Sequence, residues 1–158
     1  MKRIVIIVAV VLLVCAACAG GYYYYVNNFG KKIANPLPMP VSGKVTVENV
    51  APFFYNGLPD EYAFVDVRTV EEYSKIHTDG TINIPVALFE EDGACEKVAD
   101  MLPKDKKIIF SCPFGPRAEE MFFDLTDPVA DGGCGMQPEG MYYLWANVKY
   151  KKNRLVIR

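Results

Sequence analysis

The chain has 158 residues, of which 51% are hydrophobic and 23% are charged, so one compact domain with an additional segment is expected. The formal net charge of −2 at pH 7 argues against a nucleic-acid-binding surface. One histidine and scattered cysteines lack the spacing of metal ligands, so neither a metal nor another cofactor is expected.

Residues 1–26 are predicted to be a signal peptide or an N-terminal membrane anchor. A short basic start precedes an uncharged stretch from Ile4 to Ala19, a pattern typical of export signals. Three alternatives stay open: lipidation at Cys18, cleavage after Ala19, and an uncleaved segment from Ile4 to Val26 that is long enough to span a bilayer. We expect an extracytoplasmic, membrane-anchored protein, or a periplasmic one if the segment is released.

Residues 27–43 are predicted to form a proline-rich linker. Pro36, Pro38 and Pro40 occupy alternate positions, and this spacing favours an extended, polyproline-like spacer. Such a spacer would hold the following domain away from a membrane surface. An arm that wraps around the domain is the alternative interpretation.

Residues 44–158 alternate between strand-like and helix-like segments. In chain order these are KVTV (strand), ENVAPFFYNG (helix), YAFVDVR (strand), TVEEYSKIH (helix), TINIP (strand), CEKVADML (helix), KKIIFS (strand), RAEEMFFDL (helix), the loop DPVADGGCGMQPEG, and the strand-like MYYLWANVKY and RLVIR. Thr69, with Glu72 three residues later, forms a capping-box pattern. The alternation predicts an α/β fold with a mainly parallel central sheet and helices on both faces.

Two motifs in this region resemble the signatures of the rhodanese-like domain family. The stretch DVRTVEEYSKIHTDGTINIP resembles the first signature, and Cys112, Gly115 and Arg117 match the second, a Cys-x-x-Gly-x-Arg loop after a strand. The family ends with a strand, a Gly-Gly turn and a helix that carries tryptophan. We place MYYL at that strand and WAN at the turn, because MYYL has the better strand pattern; in the alternative register EGMYYLW matches the family's Glu-Gly-Gly-x-x-x-Trp stretch. The resemblance implies a rhodanese-like fold over residues 44–158.

The resemblance also implies an activity. A rhodanese-type sulfurtransferase or sulfur carrier moves sulfane sulfur through a persulfide, here on Cys112, to a thiol or another nucleophilic acceptor. The expected partners are therefore a small donor, thiosulfate or polysulfide, and a thiol acceptor. Four residues separate Cys112 from Arg117, whereas phosphatase and arsenate-reductase relatives of the fold have five, and the shorter loop favours a sulfur substrate.

The loop SCPFGPR has the chemistry that a persulfide needs. Cys112 lies between a predicted strand and helix, where unpaired N–H groups and the helix dipole favour anionic sulfur. The side chain of Arg117 adds a positive charge, and Pro113 removes one backbone donor. The N–H groups expected to bind substrate are those of Phe114, Gly115, Arg117 and Ala118. The side chain of Phe114 is expected to make the rim apolar.

Several polar residues outside the loop are expected to have structural roles. Asp66 and Arg68 are predicted to form an ion pair at a strand end. In the matching family motif the histidine mostly packs the turn near the loop, and this role is expected of His77. Glu72 is expected on a solvated helix face.

Cys95, Cys112 and Cys134 remain outside the apolar N-terminal segment. Cys134 has three alternatives: a disulfide with Cys95, a resolving thiol that attacks a persulfide on Cys112, or a free thiol. The functional alternatives to sulfur transfer are a non-catalytic binding or sensing module and a thiol oxidoreductase that uses Cys112 and Cys134.

Overall fold

The computed structural model describes residues 37–56 and 59–158. The predicted signal or anchor at residues 1–26 and most of the predicted linker lie outside this range. Within the described residues, no helix combines the length and the apolar character that crossing a bilayer requires.

A five-stranded parallel sheet forms the centre of the domain. Its strands are β1 (Gly43–Val45), β2 (Tyr62–Asp66), β3 (Ile82–Asn83), β4 (Lys107–Ser111) and β5 (Met141–Leu144). They lie in the order β1-β5-β4-β2-β3, and every neighbouring pair is parallel. The predicted α/β fold with its parallel sheet is confirmed.

Helices follow the strands as the sequence predicts. They are α1 (Val47–Asn56), α2 (Val70–Lys75), α3 (Ala94–Met101) and α4 (Pro116–Thr126), with 3-10 helices at Val86–Glu90 and Val129–Asp131. The capping box of α2 is confirmed, because the Thr69 hydroxyl accepts from the Glu72 N–H at 3.2 Å and the Glu72 carboxylate accepts from the Thr69 N–H at 3.3 Å.

Successive side chains of the central strands point to opposite faces of the sheet and so divide the core in two. One core packs the sheet against α3 and α4 and includes Val65, Val98, Phe110, Met121 and Leu125. The other packs it against α1 and the C-terminal segment and includes Val50, Phe64, Ile109, Leu144 and Leu155. Both faces are therefore covered, which is the usual requirement of a parallel sheet.

The C-terminal segment is a β-hairpin. Strands β6 (Val148–Lys151) and β7 (Arg154–Ile157) pair antiparallel. The strand-like segment MYYLWANVKY is two strands, β5 and β6, separated at residues 145–147, where the family resemblance placed the turn. The hairpin stands where the family described above has its last helix.

Candidate active site

Cys112 lies at the carboxyl end of the sheet, in the loop between β4 and α4. Its side chain is buried, with 2% of the residue exposed, and the backbone N–H of Gly115 donates to its Sγ at 3.1 Å. It is the one cysteine of the described residues that is outside a disulfide. The junction of strand and helix thus places a thiol against a backbone donor.

Gly115 permits this arrangement by its backbone conformation and its lack of a side chain. It is the N-cap of α4 with φ +109°, a region that residues with side chains rarely adopt. A Cβ atom there would lie 2.9 Å from Cε3 of Trp145 and 3.2 Å from the Cα of Trp145. Trp145, immediately after β5, is therefore the wall against which the loop is packed.

Two further contacts involve the loop or the Trp145 ring against which it packs. The carbonyl of Pro113 accepts from the N–H of Val148 at 2.8 Å, which ties the loop to the hairpin. Phe114 is 66% exposed. The ammonium of Lys44 lies 4.3 Å from the centre of the Trp145 ring, so a cation–aromatic contact borders the loop on the sheet side.

Arg117, at the start of α4, pairs with Glu72 of α2. Its two terminal nitrogens donate to the two carboxylate oxygens at 2.6 and 3.1 Å. Hydrogen bonding to Arg117 lowers the pKa of Glu72 to about 2, and the same contact raises the pKa of Arg117. The interpretation of Glu72 as a solvated residue is therefore wrong, because its carboxylate is committed to this partly buried pair.

A second ion pair lies at the carboxyl end of β2. Arg68 donates to Asp66 at 2.7 to 3.0 Å, and both side chains are buried, so the predicted pair is confirmed. The Arg68 guanidinium also lies 3.6 Å from the ring centre of Tyr150, whose hydroxyl donates to Ser111 at 3.3 Å. The hairpin thereby contacts the residue that precedes Cys112.

His77 packs within its own segment. Its ring stacks on Tyr73 with centroids 4.2 Å apart, and Nδ1 lies 2.9 Å from the Tyr73 carbonyl oxygen. These contacts fit the structural role that the sequence predicts for it.

The rhodanese-like domain model matches residues 54–137, which is just over half of the chain and includes both motifs. The chain belongs to the rhodanese-like domain family. This family acts in general with sulfur donors and thiol acceptors, although many of its domains are inactive.

Individual relatives are distant. The chain is 29% identical over 111 residues to the mitochondrial protein HIGH ARSENIC CONTENT 1 of Arabidopsis thaliana, with 66% of this chain and 64% of the relative covered. The chain thus spans just under two thirds of that curated relative's length. Similar solved structures include a rhodanese-related protein from Thermoplasma volcanium (15% identity, 73% of this chain and 98% of that chain, TM-score 0.42) and the Saccharomyces cerevisiae single-domain sulfurtransferase RDL2 (23%, 67% and 86%, TM-score 0.39).

In this rhodanese-like domain an ion pair joins the two signatures. Glu72 belongs to the first and Arg117 to the second, and their ion pair joins residues 45 positions apart in the sequence. Sequence reasoning missed this contact, and it also missed Trp145 and Tyr150. The Glu-Tyr of the first signature was the available signal for Glu72. The other two belong to the C-terminal part, where the chain departs most from the family pattern.

Cys134 forms a disulfide with Cys95. The backbone N–H of Cys134 donates to the carbonyl of Asp124 at 2.8 Å, so Cys134 lies near the C-terminal end of α4, whereas Cys112 lies before its N-terminus. The helix from Pro116 to Asp124 is about 12 Å long. The interpretation of Cys134 as a resolving thiol is therefore wrong for this structure, since its sulfur is already bonded and lies at the far end of the helix.

A cavity of about 390 Å³ adjoins Arg117. Its lining combines Arg117 with the carboxylates of Glu90, Glu120 and Asp124 and with apolar side chains such as Phe89. Burial is the main cause that raises the pKa of Asp124. The space beside the guanidinium is therefore acidic in character.

Proposed function

We propose that this rhodanese-like domain is a sulfurtransferase or sulfur carrier in which Cys112 holds the transferred sulfur. The observation that carries the proposal is the hydrogen bond of 3.1 Å from the Gly115 N–H to the Cys112 Sγ. That donor and the unpaired N–H groups of Arg117 and Ala118 at the N-terminus of α4 favour anionic sulfur at this position.

The reaction has two steps. The Cys112 thiolate attacks the sulfane sulfur of a donor, a new S–S bond forms, and the old bond breaks with its electron pair leaving on sulfite or a thiolate. An acceptor thiolate then attacks the outer sulfur of the Cys112 persulfide, which restores the Cys112 thiolate. Phe114 forms the exposed surface that the donor meets, and its apolar side chain suits a thiol or polysulfide, while the buried Gly115 contributes its N–H to the sulfur.

The proposal includes a location outside the cytoplasm. The Cys95–Cys134 disulfide supports it, because disulfides persist in oxidising compartments and are rare in the cytosol.

A non-catalytic binding module is the second candidate, and one observation favours it. Cys112 is only 2% exposed, and a thiol that no donor reaches would be structural. The thiol oxidoreductase alternative is dropped, because it required a free Cys134.

Intact-mass spectrometry of the full chain after treatment with thiosulfate, or with a small organic persulfide, tests the proposal. We expect a gain of one sulfur, about 32 Da, that peptide mapping locates on Cys112. The matched control is Cys112→Ser, which keeps the size of the residue and removes the thiol. Absence of the adduct with both donors would support the binding module instead.

A further inference from the structure

We propose that Glu72 determines which donors the Cys112 site accepts. By pairing with Arg117 it cancels the positive charge next to the loop, so that donors with little charge, such as the persulfides of small organic thiols, load Cys112 in preference to the dianion thiosulfate. The inference rests on the proposed sulfur transfer through Cys112 and adds to it a residue that sets specificity.

The geometry of the pair is the first reason. Both carboxylate oxygens of Glu72 accept from the terminal nitrogens of Arg117, a two-pronged arrangement that fixes the guanidinium in orientation. Glu72 is held in turn by its capping box with Thr69, so the acceptor is in place before any donor arrives. The pair is about one-third exposed and has no net charge.

The surroundings of Arg117 are the second reason. Among the described residues that line the adjoining cavity, Arg117 is the one cation, and it shares that lining with Glu90, Glu120 and Asp124. Within the loop, Pro113 and Pro116 carry no N–H groups with which to bind an oxyanion. At the loop a dianion thus meets a neutralised arginine and a reduced set of backbone donors, and the cavity that Arg117 also lines adds three carboxylates around the same guanidinium.

The chemistry of the two donors differs mainly in charge. With thiosulfate, Cys112–S⁻ and S–SO₃²⁻ give Cys112–S–S⁻ and SO₃²⁻, so three negative charges share the site during the attack. With a persulfide, Cys112–S⁻ attacks the protonated form R–S–SH to give Cys112–S–SH and R–S⁻, with one negative charge in all, and even the anionic form R–S–S⁻ carries one charge fewer than thiosulfate. Because Coulomb energy scales with the product of the charges, a free Arg117 would favour thiosulfate much more than the persulfide.

The test compares initial rates of Cys112 persulfide formation with thiosulfate and with the persulfide of 2-mercaptoethanol, both on the full chain and by intact mass. Glu72→Gln frees the charge of Arg117 and retains the capping box, which accepts Gln as well as Glu. We expect the ratio of the thiosulfate rate to the persulfide rate to rise about tenfold. Glu71→Gln removes the same charge from the neighbouring exposed position and is expected to leave the ratio unchanged.

The double variant Glu72→Gln, Arg117→Gln separates charge from structure. It restores the net charge of the pair, so the ratio is expected to return toward that of the unaltered protein. A partly unfolded sample lowers both rates together and cancels from the ratio. An unchanged ratio in Glu72→Gln, or a raised ratio that persists in the double variant, would overturn the inference.

The dependence of the thiosulfate rate on ionic strength can be measured on the unaltered protein, without any variant. The thiosulfate rate is expected not to fall steeply as ionic strength rises, because the pairing with Glu72 leaves Arg117 no net charge with which to attract the dianion. A steep fall would contradict the role given to Glu72. If neither donor loads Cys112 at any ionic strength, the proposed function itself fails, and this result is distinct from loading by both donors with no effect of Glu72.

Discussion

The two prolines of the loop differ in what they remove. Pro116 occupies the first position of α4, where its missing N–H would have had no partner within the helix. Pro113 directly follows Cys112 and removes a donor that could face the sulfur. Its carbonyl nevertheless accepts from Val148, so the residue anchors the loop even though it cannot donate to it.

Restoring a backbone N–H at position 113 tests whether the missing donor or the rigid proline matters more for persulfide formation. We predict that Pro113→Ala raises or leaves unchanged the rate of persulfide formation on Cys112, because alanine adds an N–H and keeps the carbonyl bonded to Val148. The rate is measured by intact mass under a fixed donor concentration. A large loss would mean that the site depends on the stiffness of the proline.

Gly115 is constrained both by its backbone and by its neighbour. Gly115→Ala is predicted to lower the free energy of unfolding by about 2–3 kcal/mol and to slow loading of Cys112, since φ is positive and the new Cβ would overlap Trp145. Gly132→Ala is the matched control, because Gly132 has φ +93° and nothing within 4 Å of its Cβ position. Urea unfolding of both variants separates the cost of the positive φ from the cost of the overlap with Trp145. Equal losses in the free energy of unfolding would contradict the role of Trp145.

Short-range sequence patterns predicted contacts between residues that are close together in the chain. The capping box follows from the three-residue spacing of Thr69 and Glu72, and both of its hydrogen bonds are present. The bond between Glu72 and Arg117 depends on how α2 and α4 are placed around the sheet, and no short-range pattern encodes it. The sequence pattern therefore placed the Glu72 carboxylate in solvent, although it predicted the capping box with Thr69 correctly.

At the scale of elements, the alternation of strands and helices was enough to predict the parallel sheet. The order β1-β5-β4-β2-β3 was not predicted, because it is decided by which strands meet in space. The break between β5 and β6 lies at residues 145–147, where the family resemblance placed the turn, although the segment MYYLWANVKY has no glycine or proline to mark it. That break brings Trp145 against the loop and Tyr150 against Arg68.

The disulfide joins α3 to the loop that follows α4 and encloses the chain between Cys95 and Cys134, a separation of 39 residues. The double variant Cys95→Ala, Cys134→Ala is predicted to lower the free energy of unfolding by about 2–4 kcal/mol, because the unfolded chain regains conformational freedom. Persulfide formation on Cys112 is expected to continue, measured where the variant is still folded. Loss of persulfide formation in the folded variant would contradict this expectation and show that the disulfide is needed to hold the Cys112 site.

At the scale of the whole molecule, the Glu72–Arg117 pair links stability to pH. The pKa of Glu72 is about 2 in the folded protein and 4.5 in a model peptide, so its stabilisation is present above pH 4.5 and is lost as the pH falls toward 2. After allowance for the exposure of the pair, the contribution is about 1 kcal/mol. Urea unfolding of the unaltered protein and of Glu72→Gln is therefore predicted to differ at pH 5 and to converge near pH 2.

The matched control for this pH dependence is Glu139→Gln, at an exposed position in the loop before β5. It is expected to leave the difference between pH 5 and pH 2 unchanged. A constant difference between Glu72→Gln and the unaltered protein across this range would show that the pair does not account for the acid sensitivity.

In the proposed reaction the whole domain relays sulfur, which is bound to Cys112 between its transfer from the donor and its transfer to the acceptor. The most direct measurement isolates the Cys112 persulfide form of the full chain, mixes it with a small thiol and follows the loss of about 32 Da by rapid-quench mass spectrometry. We expect this loss to be at least as fast as steady-state turnover with the same thiol. A persulfide that stays on Cys112 while turnover proceeds would contradict it.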